Sequence, residues 1–330
     1  MKVALTGIKP TGIPHIGNFL GAIQPSIRLS ETCEARYFIA DYHALNSTKD
    51  PEEIRKMSIE VAAAWLACGL DPEKVLFYKQ SGVPETFELL TILLAFTPKG
   101  LMNRAHAYKA MLQSNNEAGK DPDDGVNMGL YTYPVLMAAD ILLFDTDFVP
   151  VGNDQFQHVE MAVDIAQSFN FVYGTEAFKL PQPMAQETGK TVLGLDGRKM
   201  SKSYGNIIPL FAPEKELRKL VMRIVTNSQS IEEPKDPDTC SVFSLYKCFA
   251  NSDQIATLRE RYLAGGMGWG HAKQELFEVM NAVLSPYRTR YNELMENQDH
   301  INKILINGSE KARELAARKI SKLRRIVGID

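Results

Sequence analysis

No stretch of this 330-residue sequence approaches the roughly 18 uninterrupted apolar residues of a membrane-spanning helix, so no membrane partner is expected. The opening Met1–Gly7 is too short in apolar run for a signal peptide and reads as a first strand. Cysteine is scarce. Cys33, Cys68, Cys240 and Cys248 form no C-x-x-C pair and lie in mostly apolar segments. Buried free thiols in a reducing cytoplasm explain them better than zinc or disulfides, and the expected localisation is cytoplasmic. An excess of either charge is lacking too. With 37 Lys and Arg against 40 Asp and Glu the net charge is −3, so no whole-molecule field attracts a polyanion. Any nucleic acid must be gripped by local basic patches, and no DNA partner is expected. No internal repeat is present.

What is present has the balance of a globular enzyme. Apolar residues make up 45% and charged residues 23%, and the length allows one large domain and a smaller one. Short apolar, β-branched or aromatic runs at Val3–Thr6, Tyr37–Ala40, Val75–Tyr78 and Phe148–Val151 read as buried parallel strands. Helical patterns alternate with them. The best signalled has Asp50 as cap, Pro51 in the first turn, Glu52 and Glu53 at the positive end of the dipole, and Gly69 as stop. This alternation predicts an α/β fold, a doubly wound parallel sheet of Rossmann-like type, over residues 1–205.

After Lys202 the strand signals stop. Helices predicted at Pro213–Val225, Ser241–Ala250, Asp253–Ala264, His271–Ile306 (open to a break at Pro286) and Ser309–Val327 imply an all-helical C-terminal domain over 206–330, whose last helix can pack back on the first domain. That helix carries Lys311, Arg313, Arg318, Lys319, Lys322, Arg324 and Arg325, as a solvated face or an RNA-backbone contact. Ser114–Gly125 is polar and rich in Gly and Asp, and reads as a mobile surface loop, either a lid or a plain excursion.

The first strand runs into Gly7-Ile8-Lys9-Pro10-Thr11-Gly12-Ile13-Pro14-His15-Ile16-Gly17-Asn18, and a helix follows. A strand, a Gly-containing turn and a helix N-terminus form the usual phosphate site of a doubly wound sheet. Gly7 and Gly12 permit close backbone approach or positive φ, and Gly17 leaves room for a flat base. His15 and Asn18 share one face of a first turn, where both can donate to one anion. The segment matches neither G-x-G-x-x-G nor G-x-x-x-x-G-K-[ST]. Alone, it is also compatible with a His15 that merely caps a helix. Pro25 falls inside the following helix and should kink it or shift its start.

Lys199-Met200-Ser201-Lys202-Ser203 lies between a Gly-rich approach and the turn Tyr204-Gly205-Asn206. Two lysines and two hydroxyls on a flexible loop can close on a triphosphate and meet the charge that develops on departing pyrophosphate, although a solvated loop has the same composition. Asp140 stands inside the apolar run Leu136–Phe144. A buried carboxylate is costly without a donor, and an indole N–H is a donor only, so the two are complementary. A Tyr hydroxyl or a backbone N–H is the alternative partner. Leu5, Met137, Val149 and Val151 supply apolar walls, with Met137 pliable against a flat ring.

Together, His15-Ile16-Gly17-Asn18 and Lys199–Ser203 resemble the signatures of class I aminoacyl-tRNA synthetases. The run Tyr133–Leu143 and the turn Val149-Pro150-Val151-Gly152-Asn153-Asp154-Gln155 resemble the bacterial tryptophanyl-tRNA synthetase family in particular. The resemblance implies a tryptophan--tRNA ligase using ATP and Mg²⁺, with tRNA(Trp) as partner and a homodimer as the working state. Tyrosine activation, or adenylation of a small carboxylate without tRNA, is the alternative. It further implies His15, Asn18, Lys199 and Lys202 as catalytic residues. Lys9, Gly17, Gly152, Asp154, Met200 and Ser201 fall on the ATP side, with no metal ligands. Leu5, Gly7, His43, Tyr133, Met137, Asp140, Val149, Val151 and Gln155 fall around tryptophan. A lone His43 after a strand can also be structural. The helix Phe87–Phe96 with Tyr133–Phe144 is offered as the dimer interface, or else as core.

Departures from the family pattern are Leu5 for an aromatic, Lys9 for Gln and Asn153 for Glu, and neither Lys109 nor Lys120 aligns with the family's loop lysine. Lys9 is therefore expected to take over part of that phosphate role. Lys9→Gln should raise KM for ATP in steady-state kinetics; an unchanged ATP dependence would refute the assignment.

Overall fold

The computed structural model describes residues 1–152, 155–185 and 192–330. Strands β1 (Val3–Ile8), β2 (Glu34–Ile39), β3 (Leu76–Lys79), β4 (Phe148–Val151) and β5 (Gln182–Ala185) form one parallel sheet in the order β3-β2-β1-β4-β5. The expected doubly wound sheet is present, with one strand more than predicted. β5 escapes prediction because Gln182-Pro183-Met184-Ala185 has no β-branched or aromatic residue; it pairs only as an edge, where proline is tolerated.

Helix α1 (Gln24–Leu29) follows a helical turn, Ile16–Asn18, and a π-helical turn, Phe19–Ile23. The π turn is the consequence of Pro25. Proline has no N–H to return to the carbonyl four residues back, and its ring crowds that carbonyl. The chain widens by one residue, and the Gln24 N–H reaches Phe19 C=O. Helix α2 (Pro51–Ala67) starts as read from sequence: the Asp50 carboxylate accepts from the N–H groups of Glu52 and Glu53, and Gly69 ends it at φ +108°.

Helices α3 (Glu85–Leu94), α4 (His106–Glu117), α5 (Met128–Leu142) and α6 (Phe156–Tyr173) complete the α/β layer. The polar run after Ser114 differs from expectation: Ser114–Glu117 form the last turn of α4. The turn beyond is tied down by buried Asn115, whose amide donates to Pro122 and Asp124 C=O at 2.9 and 2.8 Å.

The remainder is helical, as expected: α7 (Glu214–Met222), α8 (Ser241–Tyr246), α9 (Ser252–Ala264), α10 (Trp269–Glu296) and α11 (Gln298–Val327). The break between the last two falls at Asn297 and not at Pro286 or Ile306. The Asn297 side chain accepts from the His300 N–H, capping the new helix, whereas Pro286 stays inside α10. Ser309 lies within α11 and satisfies its hydroxyl on Leu305 C=O.

α11 lies against β3, the edge of the sheet. Gly308 meets Phe77 so closely that a Cβ would stand 1.8 Å from the Phe77 carbonyl oxygen, and Lys79 N–H approaches Ser309 Oγ at 3.4 Å. The basic face of α11 is partly spent on this docking. Arg313 pairs with Glu85, Arg324 with Glu88, and buried Lys319 with Asp145 and the Ala177 carbonyl. Lys311, Arg318, Lys322 and Arg325 remain exposed. Gly308→Ala should lower stability by about 2 kcal/mol or more, because the methyl forces α11 off β3. Gly100→Ala, with nothing within 4 Å of the new methyl, should be neutral or slightly stabilising. Urea denaturation of the two variants gives the comparison, and equal midpoints would refute the close fit.

Candidate active site

Because β2 and β4 flank β1 on opposite sides, the order in which strands are added across the sheet reverses between β1 and β4. In such sheets ligands bind beyond the carboxyl ends of the strands at that point. Two adjoining cavities lie there, of about 500 and 240 Å³, and both are lined by Gly7, Lys9, Pro150, Val151 and Gln155.

The larger cavity gathers every residue expected around the amino acid: Leu5, Gly7, His43, Tyr133, Met137, Asp140, Val149, Val151 and Gln155. Leu5, Val149 and Val151 are buried walls, joined by Phe38, which sequence reasoning missed. Gly7 is required beside that ring, since a Cβ would stand 2.7 Å from Phe38 Cζ. Asp140 is 3% exposed. The sequence offered it an indole, a Tyr hydroxyl or a backbone N–H; within the chain its donors are others. His43 Nε2 lies 3.0 Å from Oδ2, and Gln80 Nε2 lies 3.0 and 2.9 Å from the two oxygens. Burial raises the Asp140 carboxyl, and His43 and Gln80 oppose that rise. Gln80 is buried and its Oε1 accepts from the Tyr42 N–H at 3.1 Å, which fixes its amide orientation. Nothing local marks Gln80; a polar residue directly after a buried strand is the only signal. Tyr133 places its hydroxyl 2.5 Å from His158 Nε2, a contact also absent from the sequence reading.

Lys9, Asn18 and Gly152 line the smaller cavity with Thr11 and Gly12. Gly12 takes φ +79°, as a sharp turn there requires. His15 and Asn18 form a reciprocal cap: His15 Nδ1 accepts from the Asn18 N–H, and Asn18 Oδ1 accepts from the His15 N–H. With Nδ1 accepting, the ring proton of neutral His15 sits on Nε2, so Nε2–H and the Asn18 carboxamide N–H₂ are the donors left over. Burial, and then Lys202, pull the His15 imidazole down to about 4. His15 therefore donates as a neutral group at pH 7. Gly17 has no room for a side chain: a Cβ there would be 2.9 Å from the His15 ring and 3.6 Å from Met200 Cβ.

Buried Asn206 organises the Lys199–Ser203 loop. Its Oδ1 accepts from the Ser201 N–H, and its amide donates to Asp196 and to Lys199 C=O. Asp196 is held down to about 2, chiefly by that Asn206 bond. Lys202 crosses to Thr11 and donates to its carbonyl, and Lys9 reaches Ser47. Lys199 and Ser201 line neither cavity: the Leu193–Lys199 bridge and the Asn206 bonds hold that end of the loop back. Asp154 and Asn153 lie outside the described residues.

Residues 2–285 match the family model of class I tRNA synthetases (W and Y). The chain belongs to this family. Curated relatives include a tryptophan--tRNA ligase of Pseudomonas aeruginosa, 52% identical over 98% of this chain and 73% of the relative. Another, from Neisseria meningitidis serogroup A, is 50% identical over 99% of this chain and 98% of its own length. Among solved structures, a tryptophanyl-tRNA synthetase from Campylobacter jejuni complexed with ADP and tryptophan superposes with a TM-score of 0.91 at 45% identity, covering 99% of both chains.

A neutral His15 in the fold has a consequence for acid stability. The folded group titrates near 4 and the unfolded one near 6.5, so between these values the unfolded chain holds the extra proton. The contribution is intact above pH 6.5 and is lost as pH falls toward 4, by at most about 3 kcal/mol. His15→Asn should flatten that part of a pH-dependent denaturation profile; identical acid limbs would contradict a neutral His15.

Proposed function

We propose that this enzyme is a tryptophan--tRNA ligase. It joins tryptophan to ATP as tryptophanyl-adenylate, releasing pyrophosphate, and transfers the acyl group to the terminal ribose of tRNA(Trp). The observation that carries the choice of amino acid is Asp140, a carboxylate on the floor of an apolar-walled cavity beside a helix-entry phosphate site. The indole N–H meets Asp140, and Leu5, Met137, Val149 and Val151 enclose the ring. Tyr133, Gln155 and His43 face the polar end of the substrate. The relatives' activity and the tryptophan and ADP in the Campylobacter jejuni enzyme support the same reading.

In the first step a tryptophan carboxylate oxygen, already ionised at neutral pH, attacks the α-phosphorus of MgATP. The new O–P bond forms as the bond to the bridging oxygen of pyrophosphate breaks, so no general base is required. Mg²⁺ enters with the nucleotide as part of the substrate. His15 Nε2–H and the Asn18 amide donate to phosphate oxygens. Lys9, Lys202 and, on closure of the loop, Lys199 neutralise the charge that gathers on the leaving group. Gly17, Gly152, Asp154, Met200 and Ser201 complete the nucleotide side. In the second step the 2′-hydroxyl of the terminal ribose takes the acyl group and AMP leaves.

Residues 206–330 serve anticodon recognition in this reading, with exposed Lys311, Arg318, Lys322 and Arg325 available to the RNA backbone. A homodimer is supported by the outer side of α3, where Leu94 and neighbouring Tyr42 stay exposed while Leu89 and Leu93 serve the chain's own core. The RNA substrate points to the cytoplasm, and no helix among the described residues is long and apolar enough to cross a membrane.

ATP–pyrophosphate exchange with tryptophan and tyrosine in parallel tests the proposal. Exchange with tryptophan is expected, and Asp140→Ala should cut kcat/KM for tryptophan by about 100-fold or more. Exchange with tyrosine alone, or with neither, would overturn it.

A further inference from the structure

Glu60 sits on the face of α2 that turns toward the Thr11–Gly12 turn. Met57, one turn earlier, lies 4.0 Å from where a Gly12 side chain would begin, and Val61 and Trp65 line the smaller cavity beside Asn18. Glu60 is 7% exposed, yet its carboxylate accepts no hydrogen bond among the described residues. Its one ion pair is a loose 3.8 Å to Lys56, an amine that is 74% exposed. A carboxylate placed this way is destabilising unless another cation meets it. The Lys202 amine stands on this face: it lies 3.5 Å from the same point over Gly12 that Met57 approaches, beyond ion-pair distance of Glu60 but within reach of its field. Burial raises the Glu60 carboxyl, and Lys56 and Lys202 oppose the rise. From the other side, burial lowers the Lys202 amine and Glu60 supports its charge. Lys202 thus donates to Thr11 C=O while its charge is felt by His15 and Glu60. The field of Glu60 also reaches Tyr291 of α10, which stacks on Phe211 at 4.0 Å.

We infer that Glu60 is a positioning residue for Lys202: a counter-charge buried in α2 that holds the second lysine of the loop at Thr11 before nucleotide binds, and competes with the triphosphate for it. The inference rests on the reading of this site as an ATP site. A restrained lysine binds ATP less tightly in the ground state and is kept for the charge that appears on pyrophosphate, which favours turnover over affinity. No sequence signal marked Glu60, because it looks like any acidic residue in the middle of a capped helix.

Glu60→Gln keeps the shape and removes the charge. Equilibrium ATP binding should tighten by about threefold to tenfold, the scale of one partly screened charge pair. The same substitution made on Lys202→Met should change ATP binding little, whereas an equal gain in both backgrounds, or none in either, would overturn the inference. A second cycle needs no nucleotide. Lys202→Met should lower the melting temperature of the protein with Glu60 but not with Glu60→Gln, and equal losses would overturn it. Glu60→Met, of similar volume without a polar group, repeats both cycles. Failure of the parent enzyme to bind ATP or to exchange pyrophosphate would count against the ligase reading, whereas the melting cycle tests Glu60 on its own.

Discussion

A carboxylate buried beneath apolar walls constrains everything around it, and in this fold that group is Asp140. Its own helix, α5, offers it no donor side chain. The donors arrive from separate elements: His43 from the helical turn after β2, and Gln80 from the 3-10 turn after β3. Removing a hydrogen-bond donor from a buried carboxylate typically costs about 1–3 kcal/mol or more. The relative placement of β2, β3 and α5 is therefore fixed by the need to keep those distances near 3 Å. Gln80 is held in turn by the Tyr42 N–H, and Gly82 in the same turn admits Ser309 of α11, where any Cβ would collide with its hydroxyl.

The two cavities divide charge between them. One has a buried carboxylate at its floor. The other is bordered by Lys9 and, through Thr11, by Lys202, whose field helps keep His15 neutral. Partial burial draws both amines below their ordinary range, although both side chains keep contact with solvent. A protonated His15 would add a third cation at the same turn and is opposed by both burial and Lys202. The site thus carries its positive charge on flexible side chains and its directional donors on a rigid cap. That suits a reaction in which charge moves from the attacked phosphorus to a departing group.

Local chemistry is what the sequence made legible. Asp50-Pro51-Glu52 announces a helix start by capping alone, and the apolar strands and the Gly7–Asn18 turn are written in contiguous residues. Every residue named for the amino acid lines the larger cavity, whereas Phe38 and His158, which line it too, were not among them. What stayed hidden depends on partners distant in the chain. β5 is a strand only because β4 pairs with it. Gln80 matters only because Asp140 lies 60 positions away in sequence and 2.9 Å away in space. The π turn at Phe19–Ile23 has a local cause in Pro25, but whether a helix kinks, starts late or widens there is decided by packing: Phe19 and Ile23 are both buried. The same holds at Asn297, where the polar side chain ends one helix and caps the next while Pro286 is tolerated.

The helical region cannot shift freely against the sheet, and α11 supplies the reason. Its Leu305 belongs to the apolar cluster that runs from Ala4 and Ile39 through Phe243 to Leu284, whereas its Ala312, Ala316 and Ile320 belong to the cluster that walls the larger cavity with Leu5, Phe38 and Val149. Gly308 and Ser309 lie between these sets, directly on the β3 backbone. A helix that serves both cores, with no side chain at the crossing point, has no slack to slide or roll. Displacement of the helical region must then press on β3, and so on the turn that carries Gln80 and its grip on Asp140. The Lys199–Ser203 loop is tied down differently, by the Leu193–Lys199 bridge, the Asn206 bonds and the Thr11 contact of Lys202, with no helix packed across its backbone among the described residues.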